Sequence, residues 1–396
     1  MNRFFSVSLF FLTGTFTVLA QDTVFARKTI EILCSKKFAG RGYVRHGQER
    51  AADWILKEFK KEKPAQYGIQ EFNDQVIIFK KNPSLIIDGK KMNLGSEWLP
   101  DADAPPLSGN FKVQILDSNF FAHSTQVFGN SILFASSSMR AKAQNFAQKN
   151  QRPLLIYGNQ PPLWTVKRSF SKSSALYWKG NFSEPPKDVK VSIHSKIKNH
   201  TFQNVWAILP GKSDSIILIS AHYDHLGQCG PVMFPGANDN ASGTAMMLDL
   251  FHHLSKEYRP YTYVFCAFSG EEAGLLGSSY FVKNPTVSLE KLKFVVNLDL
   301  MATGEDGITV VNAHQEKEIY QRMLEINKEV GLPQIAARSN APNSDHYPFT
   351  QSGYRAIFLY AQGPSVKAYH HPDDVPEKVL WKGYHQIFHL IHTLIQ

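Results

Sequence analysis

The chain has 396 residues, 43% hydrophobic and 19% charged, which excludes wholesale disorder and leaves room for one large domain or two. Its 43 Lys and Arg against 34 Asp and Glu give a formal charge of +9, a balance that fits nucleic acid, an anionic surface or an acidic substrate until it is located along the chain. Three cysteines (Cys34, Cys229, Cys266) exclude a disulfide-dense scaffold.

Residues 1–20 read as a cleaved signal peptide rather than an anchor. Met1-Asn2-Arg3 is a short basic start, Phe4 to Ala20 is apolar but interrupted by Ser, Thr and Gly, and Val18-Leu19-Ala20 is a small-residue end. The expectation is an exported chain, periplasmic or secreted, with no stable membrane insertion after cleavage. Asp22 to about Asp74 reads as helical, with Ala51, Ala52, Ile55, Leu56 and Phe59 at helical spacing. Residues 76–205 change texture. Turn pairs such as Asp88-Gly89, Pro105-Pro106, Pro161-Pro162 and Pro185-Pro186 separate short β-like runs, and one helical piece runs from Met139 to Gln148. This segment reads as a mostly-β insert. It carries 17 Lys and Arg against seven Asp and Glu, so the positive balance belongs to it and not to the rest. Lysines spread over many turns read as a solvated surface, and a nucleic-acid enzyme is not expected.

After Trp206 strands and helices alternate. Strands are expected at Ile216–Ile219, Tyr261–Phe268, Leu292–Leu298, Ile308–Val311 and Ala356–Tyr360. Helices are expected at Thr244–Leu254, Glu271–Val282, Glu316–Val330 and the C-terminus. The fold class is α/β: a mixed, mostly parallel central sheet flanked by helices and interrupted by the smaller insert. The expected division is 21–75 with 206–396 for the main domain and 76–205 for the insert. Sites in such sheets form where strands end.

Five polar motifs fall at those places. His222-Tyr223-Asp224-His225 ends the first strand, where Asp224 could fix the tautomer of His222. Gly236-Ala237-Asn238-Asp239-Asn240 precedes a helix and reads either as an N-cap or as a carboxylate bridging two cations. Ser269-Gly270-Glu271-Glu272 offers helix-dipole partners, or one metal ligand and one base. Asp299 closes an apolar strand, where a desolvated carboxylate needs a partner. Tyr369-His370-His371-Pro372-Asp373-Asp374 is a further His-rich loop. Imidazole and carboxylate together suit zinc. Three carboxylates and a bridging hydroxide would balance two Zn²⁺.

In this order the five motifs resemble metallopeptidase family 28, the co-catalytic di-zinc aminopeptidases, over about Val205 to Lys378. Phe38-Ala39-Gly40-Arg41-Gly42 resembles that family's N-terminal segment, and the insert weakly resembles a protease-associated domain. The resemblance implies two zinc ions. Asp239 would bridge them, His222 and Asp299 would serve one, and Glu272 and His370 the other. Glu271 would be the general base, Asp224 the partner of His222, and Tyr369 a stabiliser of the tetrahedral intermediate. Ser344-Asp345-His346-Tyr347-Pro348-Phe349 resembles a further family motif near the site. His371 departs from the family, which often has Thr or Ser there; motif register favours His370 as the ligand. The implied activity is removal of residues from peptides with a free N-terminus.

Alternatives are a glutaminyl cyclase-like acyltransferase, a dipeptidase or carboxypeptidase of the same fold, or a metal-free binding protein that uses the insert. His252 and His253, and His385, His389 and His392 at helical spacing on the last helix, read as structural. Asn181-Phe182-Ser183 and Asn199-His200-Thr201 match the glycosylation pattern.

Overall fold

The computed structural model describes residues 23–123, 126–127, 129–160, 163–180, 184–364 and 368–396. The expected signal segment, the Asn181 triplet and Pro161-Pro162 lie outside the described residues. Among the described residues no helix is long and apolar enough to cross a membrane.

The main sheet has eight strands: β1 (Gln66–Phe79), β2 (Ser195–Leu209), β3 (Ile216–His222), β4 (Thr262–Phe268), β5 (Leu292–Leu298), β6 (Gly307–Val311), β7 (Ile335–Arg338) and β8 (Ala356–Gln362). Their spatial order is β1-β2-β4-β3-β5-β8-β6-β7. The central four, β4-β3-β5-β8, are parallel neighbours. Every residue of β3 is buried, as expected for a strand covered on both faces.

Parallel neighbours need crossovers, and helices supply them. The helices that cover the sheet are α1 (Thr23–Leu33), α2 (Gly47–Lys61), α3 (Gly243–Leu254), α4 (Leu276–Lys283), α5 (Lys317–Val330) and α6 (Tyr384–Ile395). Ile30, Ile55, Phe59, Met247, Phe251 and Ile387 pack against Ile219 and Phe265 on one face. Phe281 and Phe349 cover Leu218, Val264 and Phe268 on the other. The mixed α/β architecture agrees with the sequence reading.

Two element boundaries differ from it. The helical texture ends at Lys61, and Gln66–Asp74 is strand, paired with β2 from Gln66 opposite Ile208. Cross-strand pairing over fourteen residues outweighs local propensity there. Helix α4 begins at Leu276, not Glu271, because Gly274 (φ 108°) and Leu275 (φ 57°) have left-handed backbones.

The residues between Ser84 and Ile193 form a second eight-stranded sheet. Helix Arg140–Asn150 packs Ala143 and Ala147 against it. Strands β1 and β2 run together as a ribbon out of the main sheet towards this second one, through both expected boundaries at 75/76 and 205/206. The apolar interior of the insert, with Trp98, Ile132, Leu155 and Val191, continues into Phe202 and Phe234 of the main domain.

His200 sits on this ribbon, buried, with Nε2 2.9 Å from Gln48 Oε1. Burial, opposed by Glu49 and aided by Lys198 and His46, lowers its pKa to about 4. The unfolded chain therefore binds the extra proton first, below about 6.5, so stability falls as pH drops from there towards 4. His200→Gln should lose less melting temperature than the parent between pH 7 and pH 5. An identical loss in the two proteins would show that His200 does not carry this pH dependence.

Candidate metal centre

The chemistry-bearing side chains gather at the carboxyl ends of the parallel strands. His222 is the last residue of β3, Glu271 and Glu272 follow β4, Asp299 follows β5, and His370 lies in the loop after β8. Asp239 enters from the loop before α3. Six motif residues between 77 and 148 positions apart in pairs such as His222–Asp299 and His222–His370 thus meet in one cleft.

Asp239 stands between two groups. Its Oδ1 is 3.5 Å from His222 Nε2, and its Oδ2 is 3.2 Å from His370 Nε2. His222 Nε2 is also 3.3 Å from Asp299 Oδ1, and His370 Nε2 is 3.3 Å from Glu272 Oε2. A tetrahedral zinc with bonds of about 2.0–2.2 Å separates its ligand atoms by about 3.3–3.6 Å. Three of the four spacings fall within that edge length, and the fourth, 3.2 Å between His370 and Asp239, lies just below it. Asp299 Oδ1, buried and aimed at His222, has no hydrogen-bond partner, as a ligand oxygen held for a cation would be.

Electrostatics point the same way. Asp239, Glu272 and Asp299 are carboxylates withdrawn from water beside Glu271 and Asp224. Such a concentration of buried negative charge needs a cation. Burial, reinforced by Glu272, Asp345 and Asp299 and opposed by His222, raises Glu271 well above the usual carboxylate range. Burial opposes the charged form of His370, but Glu272 and Asp239 outweigh it and raise its pKa to about 11. The carboxylates thus favour a positive charge at that position.

The supporting contacts are specific. His222 Nδ1 meets the main-chain oxygen of Asp224 at 3.1 Å, while the Asp224 carboxylate lies 3.9 Å away. The tautomer of His222 is therefore set by a carbonyl, not by the expected carboxylate. That carboxylate instead accepts from Tyr43 Oη at 2.6 Å and from the backbone N–H groups of Glu271 and Glu272 at 3.2 and 3.4 Å. It orients the acidic pair. His225 Nδ1, 2.7 Å from Glu272 Oε1, holds the other side of that carboxylate. Ser344 Oγ donates to Asp299 Oδ2 at 2.8 Å, and Asn297 Nδ2 donates to Ser344 Oγ at 2.7 Å.

The Asp239 loop is built for its position. Asp374 accepts from the N–H groups of Asn238 and Asp239 at 2.9 and 3.0 Å. Asn240 Nδ2 donates to the Leu298 carbonyl at 2.9 Å, and its Oδ1 accepts from Gly243 N and Leu300 N. The Asp239–Asn240 peptide is cis. Arg41 is fully buried and donates to the carbonyls of Leu33, Tyr223, Pro235, Gly236 and Asp239 at 2.6–3.3 Å. The roles of Arg41, Tyr43, His225 and Asp374 are invisible in the sequence pattern, since each acts through a contact across the fold.

Tyr369 is 45% exposed, its ring stacked on His370 at 3.8 Å between centroids. His371 turns away, its Nδ1 accepting from Asp373 N at 3.2 Å. All three cysteines are buried free thiols, Cys266 among them.

Fold and side chains define a class: an α/β protein with an imidazole–carboxylate metal cleft at the carboxyl edge of its sheet. Residues 204–395 match the profile of peptidase family M28. Aminopeptidase YwaD of Bacillus subtilis (strain 168) is 26% identical over 256 residues, covering 60% of this chain and 55% of the relative. A probable leucine aminopeptidase of Arthroderma otae is 28% identical over 183 residues, covering 42% and 49%. The chain thus spans about half the length of these curated relatives. In solved structures the fold matches a zinc aminopeptidase from Bacillus subtilis with a TM-score of 0.75 at 21% identity, covering 94% of this chain and 93% of that one. It also matches the Porphyromonas gingivalis glutaminyl cyclase with a TM-score of 0.53 at 13% identity, covering 94% and 96%.

Proposed function

We propose that the protein is an exported metallo-aminopeptidase with two zinc ions. The observation that carries this reading is the placement of Asp239 between His222 and His370, each with its own second carboxylate at a ligand-edge distance. His222, Asp299 and Asp239 would hold one ion, and His370, Glu272 and Asp239 the other. Bound there, zinc supplies a Lewis acid and a water of lowered pKa.

The chain's own groups do the rest. Glu271, made basic by its surroundings, takes the proton of the attacking water and returns it to the leaving amine nitrogen. Asp224 fixes the backbone of Glu271 and Glu272, so base and ligand keep separate orientations. Tyr369 stands over His370 at the mouth of the cleft, where its hydroxyl would steady the developing oxyanion. The acidic surroundings suit a substrate's free α-ammonium, which favours exopeptidase over internal cleavage.

A cavity of about 440 Å³ opens from His370 into the insert, lined by Ile156, Tyr157, Leu163, Trp164 and Trp178 among others. Its apolar walls suit a large apolar substrate side chain. The Trp164 ring stacks on Phe234 at 4.9 Å, which fixes the insert's wall against the main domain.

Asp239→Asn tests the metal arrangement. Removing the bridging charge should weaken both cleft ions together, so after dialysis against zinc-free buffer the variant should hold more than one zinc per chain fewer than the parent. The parent's full zinc content in the variant would exclude bridging.

A further inference from the structure

A second imidazole–carboxylate cluster lies apart from the cleft. His253 is on α3, Glu257 lies just beyond its carboxyl end, and His392 is near the end of α6. Glu257 follows Asp239 by 18 positions, across a twelve-residue helix about 18 Å long. Glu257 Oε1 is 3.0 Å from His253 Nε2, and Oε2 is 2.8 Å from His392 Nε2. One ligand atom from each residue can be chosen so that all three lie within 4.8 Å of one another. The two imidazoles are 5.0 Å apart and nearly perpendicular, converging on the carboxylate from two elements of the fold.

The structural reading of the C-terminal histidines covers only part of this. Ile387, Phe388, Leu390 and Ile391 make the buried face of α6. His392 lies on its flank with its side chain 18% exposed, beside His253 at 16% and Glu257 at 27%. The cluster is sheltered yet reachable from solvent. Two imidazoles and one carboxylate are a zinc donor set that leaves a fourth position open.

We propose that His253, Glu257 and His392 form a separate divalent-cation site, suited to zinc, that fastens the C-terminal helix to α3. Without the ion, Glu257 links the two rings by hydrogen bonds. With it, both Nε2 lone pairs and a Glu257 oxygen face the cation. Any proton on Nε2 moves to Nδ1 or is released to solvent. Because the ion would join segments 135 residues apart, it would stabilise the folded state by binding it selectively.

The test uses the purified full chain with zinc as probe. Zinc binding is titrated against a chromophoric chelator, and melting temperature is read with and without excess zinc. His392→Ala and Glu257→Gln should each bind one equivalent fewer than the parent and lose part of its zinc-dependent rise in melting temperature, with kcat within twofold. His253→Gln, which can still hydrogen-bond to Glu257, should show the same loss and guards against a folding defect. Equal stoichiometry and equal zinc-dependent stabilisation in the parent and in His253→Gln would overturn the site. The comparison counts one equivalent relative to the parent, so it stands whatever the number of ions in the main cleft.

Discussion

Glu271→Gln is expected to lower kcat by about 10²–10⁴-fold while the zinc content stays at the parental level. The amide has the shape of the carboxylate but cannot take up a proton. Glu271 Oε2 is 3.9 Å from His222 Nε2, beyond the 3.2–3.5 Å spacings of the proposed ligand pairs. Under the proposed assignment His222, Asp299 and Asp239 hold that ion, while Glu271, whose carboxylate also lies within reach of His222 and Asp299, serves as the base. Its backbone remains tied to Asp224 in the variant, so the neighbouring Glu272 keeps its place. Steady-state kinetics with metal analysis on the same preparation separates the roles. A loss of zinc in step with activity would make Glu271 a ligand, and an unchanged kcat would move the base elsewhere.

Arg41→Met should have the second large effect, a destabilisation of more than about 3 kcal/mol together with weaker zinc retention. The guanidinium fork reaches five main-chain carbonyls, three of them in the Pro235–Asp239 stretch that delivers the proposed bridging carboxylate. Methionine fills similar space but leaves those acceptors short of donors. Lysine, a single point donor, cannot span the same set, so Arg41→Lys should rescue little. Urea unfolding and zinc titration check both variants. Parental stability and affinity in Arg41→Met would show that Asp374 and Asn240 hold the loop unaided.

How much could be read beforehand follows from where each constraint acts. His222, Glu271, Glu272 and Asp299 were legible because each stands where an apolar strand stops, and a polar residue at a strand end is a local signal. Asp239 was ambiguous: the same residues also read as an N-cap. The structure takes Asp239 into the cleft and leaves Asn240 Oδ1 to accept from Gly243 N at the start of the helix. His370 over His371 rests on register; His370 Nε2 lies 3.3 Å from Glu272 Oε2, while His371 Nδ1 accepts from Asp373 N. Strand Gln66–Asp74 was not legible because its partner lies more than a hundred residues away. Arg41 stands in the segment that resembles the family's N-terminal motif, but no role for it is legible there, because its contacts reach almost two hundred positions along the chain. The His253–Glu257–His392 cluster escaped for the same reason, since only the packing of α6 on α3 brings it together.

The most direct test follows the products of one peptide pair by mass spectrometry. A peptide beginning with Leu is incubated with the enzyme free and N-acetylated, with and without chelator, alongside a Gln-initiated peptide. Stepwise release of single residues from the free N-terminus is expected. The acetylated peptide should release none, and chelation should abolish release until zinc is added back. Internal cleavage, release from the carboxyl end, pyroglutamate as the sole product of the Gln peptide, or turnover indifferent to chelation would contradict the proposed function.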